Sequence, residues 1–437
     1  MMKALDREIL RLAVPALGAL IAEPLFLLAD TAMVGHLGAD ALAGLGIASA
    51  VLQTVVGLLV FLAYATTPTV ARRLGSGDRA GAIRAGIDGM WLALALGVVL
   101  ILAGLPTAVP LVEAFGSTAA VGVEAIAYLT ISLWGLPAML LVIAASGLLR
   151  GLQDTRTPLV VATVGFGANI ALNAFFIYGL GWGVAGSAVG TVVAQWGMAA
   201  VYIVIAVRAA RRESTTLRPG LRGVSGAAGA GGWLLLRTAS LRVAMLATVA
   251  VASGLGVIEL ATLQIAMTVF STLAFALDAL AIAGQALIGH GLGASDVQRV
   301  RRITRRLITL GLLAGVALGL VIAALSPVLG LAFTGDAAVR AALPLVAVIM
   351  AAGIPLAGYV FVLDGVLIGA GDARYLALTG LVNLAMYAPL LAWVAIAAPV
   401  DAMPWLWLAF GFGYMGARAL TLGVRARSER WIVTGTR

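Results

Sequence analysis

Residues 147–156 read GLLRGLQDTR, and residues 365–374 read GVLIGAGDAR. The two stretches lie 218 positions apart, and the same shift, carried outward without a gap, keeps finding matches. Gly147 falls on Gly365, Gly151 on Gly369, and Asp154-x-Arg156 on Asp372-x-Arg374. Further out, Leu74-Gly75 falls on Leu292-Gly293, Asp78 on Asp296, Arg84 on Arg302 and Pro137 on Pro355. A repeat of this length divides the 437-residue chain into two similar halves.

The solvent of those halves follows from composition. Hydrophobic residues make up 62% of the chain and charged residues 11%, with a mean hydropathy of +1.08. Soluble domains run near about 45–50% apolar and about 25% charged, so the bilayer is the expected medium. Crossing about 30 Å of hydrocarbon takes roughly 20 apolar residues. Twelve such runs are present: 9–34, 42–68, 83–107, 119–146, 157–180, 184–208, 232–254, 259–289, 303–325, 338–366, 374–398 and 402–424. The first has no small-residue cleavage site behind it and reads as a retained span, not a signal peptide. The expected fold is an all-α integral membrane protein with twelve transmembrane helices in two six-helix lobes, 1–217 and 233–437. The Gly-rich stretch 218–232 would serve as a cytoplasmic linker. Six being even, both halves take the same orientation, as parallel repeats do about an axis along the membrane normal.

Positive charge sets the orientation. Clusters fall at Lys3, Arg7 and Arg11; at Arg72, Arg73, Arg79 and Arg84; at Arg150 and Arg156; and from Arg208 to Arg222, with Arg237 and Arg242 entering span seven. They continue at Arg299, Arg301, Arg302, Arg305 and Arg306, then Arg374, then from Arg418 to Arg437. All 28 cations except Arg340 lie on one side, which places both termini in the cytoplasm of a multi-pass protein of the bacterial inner (plasma) membrane. The net charge of +9 is therefore a topology charge and does not imply a nucleic-acid partner. Cysteine is absent, which removes disulfides, Cys-based zinc sites and thiol catalysis. The one lysine is Lys3, so no interior Walker A or Schiff-base lysine exists.

Polar residues inside the spans are then the functional candidates, since a mid-helix carboxylate costs about 2.5–3.5 kcal/mol to insert. Asp30 in the first span is the foremost; its repeat mate is Thr248. Asn169 and Asn173, four apart in span five, share a helical face. Thr191 lies in span six. Asp30, Asn173 and Thr191 sit about 4–8 residues, roughly 6–12 Å, from the outer surface, a common depth that allows one cluster. A carboxyl shut away from water resists ionisation and can exchange its proton nearer neutral pH, while amides and hydroxyls bond either protonation state. Glu23, two turns before Asp30, and Asp278 and Asp364 in the second half are further acids that would face a cavity or pair with the basic inner rim. Pro15 and Pro24 remove backbone hydrogen bonds from the first helix and allow it to bend.

Other patterns carry less. Gly181-x-Gly183-x-x-Gly186 has the dinucleotide spacing but follows an apolar helix, not a strand. Gly311, Gly315 and Gly319 suit close helix packing. His36 and His290 lie at opposite membrane sides and would not share a metal. No metal site or cofactor is expected, and the energy source would be a proton gradient.

The residues as a set resemble the multidrug and toxic compound extrusion (MATE) transporters, and more narrowly their DinF-like branch. The resemblance rests on 29–38 (ADTAMVGHLG), 148–158 (LLRGLQDTRTP), 276–287 (ALDALAIAGQAL) and 364–372 (DGVLIGAGD). It implies two six-helix lobes forming a V and cation-driven export of amphipathic, often cationic compounds by a non-enzyme. It also implies a first-helix aspartate that takes the proton, matched by Asp30. The fifth-helix amide matches Asn169 and the sixth-helix threonine Thr191. Pro15 resembles the proline associated with first-helix bending. Some relatives have a second aspartate where this chain has Asn173, leaving Asp30 as the main protonatable group of its cluster. Sodium-coupled relatives carry an acid on the seventh helix, near Thr248, and this chain has none there. The expected function is a monomeric proton-coupled multidrug antiporter. A lipid-linked precursor flippase of related fold and a sodium-coupled exporter are the alternatives. A flippase for anionic diphosphates would line its cavity with arginine, whereas the mid-membrane charges here are mostly acidic.

Overall fold

The computed structural model describes residues 2–397 and 401–435, and among these every regular element is helical. That follows from the solvent: in hydrocarbon each backbone N–H and C=O must be satisfied within the segment. The helices are α1 (Met2–Gly35), α2 (Ala39–Leu59), α3 (Phe61–Gly75), α4 (Arg79–Glu113), α5 (Ala119–Leu133), α6 (Leu136–Gly151) and α7 (Arg156–Ala174). They continue as α8 (Gly183–Arg212), α9 (Leu221–Leu255), α10 (Val257–Gly293), α11 (Val297–Phe333), α12 (Ala337–Gly369), α13 (Ala373–Ala397), α14 (Ala402–Leu408) and α15 (Met415–Ser428). Two π-helical turns, Phe175–Gly179 and Ala409–Tyr414, interrupt the runs after α7 and after α14.

Among the described residues ten helical stretches are long and apolar enough to cross a membrane alone, counting α2 with α3 as one and α7 with its π turn as one. The pair α5–α6, bent by 50° at Trp134–Gly135, makes an eleventh. The helical run Ala402–Ser428 is the twelfth expected segment, divided by its π turn. The bend has a local cause: Pro137 opens α6 and lacks the N–H that would continue α5. Residue 398, the end of the eleventh expected span, and Arg437 lie outside the described residues. The Gly-rich stretch is helical from Leu221 onward, leaving 213–220 as the non-helical join. Contacts divide the chain into two units, Val14–Gly231 and Gly232–Gly435, with residues 2–13 grouped with the second.

Within each unit the 218-residue register is written into the helix ends. Helices α3 and α10 stop at Gly75 and Gly293, and α6 and α12 at Gly151 and Gly369. Asp78 accepts the Gly81 N–H at 2.8 Å and caps α4; its mate Asp296 accepts the Arg299 N–H at 2.9 Å and caps α11. Close approaches repeat too. A Cβ on Gly97 would lie 2.5 Å from the Pro137 Cα, and one on its mate Gly315 2.6 Å from the Pro355 Cα. Those contacts let α4 pack on α6 and α11 on α12. Gly311 and Gly319 extend the α11 stripe, each within 2.8 Å of an α12 carbonyl oxygen if given a Cβ.

Candidate functional site

In the first unit α1, α5, α7 and α8 converge on Asp30, whose side chain is 3% exposed. Oδ1 accepts from Asn173 Nδ2 at 2.8 Å and from Ser187 Oγ at 2.5 Å, and Oδ2 accepts from the Tyr128 hydroxyl at 3.4 Å. No cation takes part in these contacts. Asn169 donates to Thr191 at 3.1 Å, and Thr191 lies within reach of the Tyr128 hydroxyl. The structure thus brings together the predicted Asp30, Asn169, Asn173 and Thr191, but in two layers: Asn173 touches the acid, whereas Asn169 and Thr191 reach it through Tyr128.

Two members of this cluster, Ser187 and Tyr128, were not singled out from the sequence. Ser187 could have been found: it precedes Thr191 by four and so shares its face. Tyr128 carried no pattern signal, because its span meets α1 only through the tertiary fold.

Glycine sets the approach of α8. A Cβ on Gly190 would fall 2.1 Å from Asn173 Oδ1, and one on Gly186 2.8 Å from the Phe176 carbonyl carbon. This accounts for the dinucleotide-like spacing. Gly181 (φ 71°) and Gly183 (φ 57°) form the left-handed turn into α8, and Gly186 clears the π turn. That turn begins two residues after Asn173, and its Tyr178 hydroxyl donates to the Met33 carbonyl at 2.7 Å, tying α1 beside the acid. Toward the Gly35 end of α1, Val34, Ile177, Val184 and Ala188 join one buried apolar cluster with Ala41, Leu45 and Tyr128.

The other candidates fall elsewhere. Glu23 on α1 is exposed, unlike Asp30. Pro15 lies inside α1, which continues through it as one helix. His36 is exposed, its Nδ1 2.6 Å from the Ala32 carbonyl. In the second unit Asp364 is 7% exposed and held by two arginines: Arg237 contacts both oxygens, and Arg418 Nη2 donates to Oδ2 at 3.0 Å. Asp278 lies within electrostatic reach of Arg418. Arg418, expected at the start of the basic tail, is buried in α15. Thr248, the mate of Asp30, meets the Tyr387 hydroxyl at 2.7 Å beside a buried aromatic group of Phe410, Tyr414 and Trp407. An apolar cleft beside Trp134, Leu105 and Val193 has Thr130 as its one polar side chain and offers no chemistry.

The sequence pattern of the MatE family matches residues 15–175 and again residues 235–394, one copy per half. The chain belongs to the MATE family. It is a multi-pass membrane transporter and not an enzyme. Protein DETOXIFICATION 45, chloroplastic, of Arabidopsis thaliana is 28% identical over 398 residues, covering 85% of this chain and 70% of that protein. DNA damage-inducible protein F of Escherichia coli (strain K12) is 27% identical over 314 residues, covering 69% and 66%. The crystal structure of a Vibrio cholerae MATE transporter in the bent form superposes with a TM-score of 0.89 at 20% identity, covering 98% of this chain and 99% of that one. A MOP superfamily transporter from Pyrococcus furiosus superposes with a TM-score of 0.87 at 22% identity, covering 98% and 96%. These two likenesses describe the fold of this MATE-family chain.

Proposed function

We propose that this MATE-family chain is a proton-coupled antiporter that exports amphipathic, often cationic compounds across the bacterial inner membrane, with both termini cytoplasmic and Asp30 as the proton-binding group. One observation carries the coupling: Asp30 is buried among neutral donors alone. A carboxylate without a cation partner in a water-poor site is costly, so uptake of a proton relieves it. Amide and hydroxyl partners rotate to serve the neutral or the charged acid, and the cluster survives both states. Protonation from outside would change the contacts of α1 and lower affinity for the exported compound. Deprotonation toward the inside would restore it. The ligand shifts the two states only by its differential affinity for them. Pro15 supplies the point at which α1 can bend.

The acid in the second unit does not compete for this role, since Asp364 is neutralised by Arg237 and Arg418. The same pairing weighs against a flippase for anionic diphosphates, because Arg237 is already committed to a carboxylate. Proteoliposomes carrying a fluorescent cationic dye and an imposed pH gradient test the reading. Wild-type chain is expected to move the dye and Asp30→Asn to lose that movement. Full activity in Asp30→Asn, or dye movement driven by a sodium gradient alone, overturns it.

A further inference from the structure

The two oxygens of Asp30 are unequally served. Oδ1 receives Ser187 Oγ at 2.5 Å and Asn173 Nδ2 at 2.8 Å, while Oδ2 has the Tyr128 hydroxyl at 3.4 Å. An O–H···O distance of about 2.5–2.7 Å is that of a hydroxyl donating to a charged oxygen. Ser187 also accepts from Asn173 Nδ2 at 3.4 Å, which turns its single proton toward the carboxylate. Its side chain is fully buried, on the α8 face between Gly186 and Gly190, the two residues whose missing Cβ atoms allow α8 against the π turn and Asn173.

We propose that Ser187 is a positioning residue for the proton step: with Asn173 it holds Oδ1 of Asp30 as the charge-bearing oxygen, so that the proton adds at Oδ2 and leaves from it. The inference rests on the proton reading of Asp30. A proton delivered by water forms an O–H bond at Oδ2 and cancels the carboxylate charge; on release that bond breaks and the proton returns to water. Ser187 and Tyr128 keep their own protons throughout. The groups facing the acid are Tyr128 from α5, Asn173 from α7, and Ser187, with Thr191 behind it, from α8; of these Tyr128 is the one with an ionisable side chain. The neighbouring cluster residues of α2, Ala41, Leu45 and Ala48, are apolar.

Infrared difference spectroscopy of the full chain in lipid reads the proton directly through the carboxyl C=O stretch, with Asp30→Asn assigning the band. In Ser187→Ala the charged form loses its shortest donor, so the titration midpoint is expected to rise by about one pH unit. Ser187→Thr keeps a hydroxyl and should return the midpoint toward wild type. If Ser187→Ala does not fold, Ser187→Cys preserves the volume, weakens the donor and carries the same expectation. A midpoint that stays put or falls in the serine variant, with the Asp30 band present, overturns the role of Ser187 and leaves the proton reading standing. Absence of any titrating band that Asp30→Asn removes overturns the proton reading itself, and the Ser187 role with it.

Discussion

Asp30 in the first unit and Asp364 in the second are both buried intramembrane carboxylates, yet their surroundings oppose one another. Asp30 sits among an amide, a serine and a tyrosine. Asp364 is clamped by two guanidiniums that cannot lose a proton. The repeat sharpens the contrast, because each acid replaces a hydroxyl in the other half: Asp30 corresponds to Thr248 and Asp364 to Ser146. Ser146 spends its hydroxyl on the Ile143 carbonyl within its own helix. Burial alone therefore does not decide whether an intramembrane acid can change its charge. Neutral donors leave it free to change state, and fixed cations hold it in one.

Removing Asp364 should have the largest effect on stability. Asp364→Ala takes the shared carboxylate away from two buried guanidiniums, and a loss of about 3–5 kcal/mol is expected in thermal or denaturant unfolding of the purified protein. Asp30→Asn removes no buried cation's partner, and its unfolding midpoint should stay within about 1 kcal/mol of wild type while transport fails. Equal destabilisation by the two variants would break the comparison.

Gly190→Ala forces a Cβ against Asn173 Oδ1, so a cost of about 1–3 kcal/mol in stability is expected, with reduced dye export. The matched change Thr248→Val deletes the bond to Tyr387. It should cost about 1 kcal/mol in the unfolding assay and leave transport intact. His36→Ala, on an exposed ring just past the end of α1 that contacts the Ala32 carbonyl, should alter stability by less than about 0.5 kcal/mol. A transport defect in either of the last two would place function outside the Asp30 cluster.

Much of this is legible in the amino-acid sequence. The repeated acids Asp78 and Asp296 could be matched by sequence, and both proved to cap helices. These residues, identical in the two halves, belong to the scaffold, whereas Asp30 and Asp364, the acids that differ between them, lie in unlike surroundings. Asn173 and Asp30 could be placed at one depth because helix rise converts sequence distance into depth. Ser187 and Tyr128 escaped notice because depth says nothing of azimuth: which faces of α1, α5, α7 and α8 meet is set by side-chain packing over the glycines of α8. The partners of Asp364 were hidden for the same reason, lying 127 residues before it in Arg237 and 54 after it in Arg418.

The order of residues alone determined the solvent, the number of crossings and the duplication, since each depends on composition and spacing along one dimension. Only the packed helices decided which acid is left among neutral partners and which is locked by charge. That choice turns on contacts of a few ångströms between segments far apart in the chain, which no periodicity along it encodes.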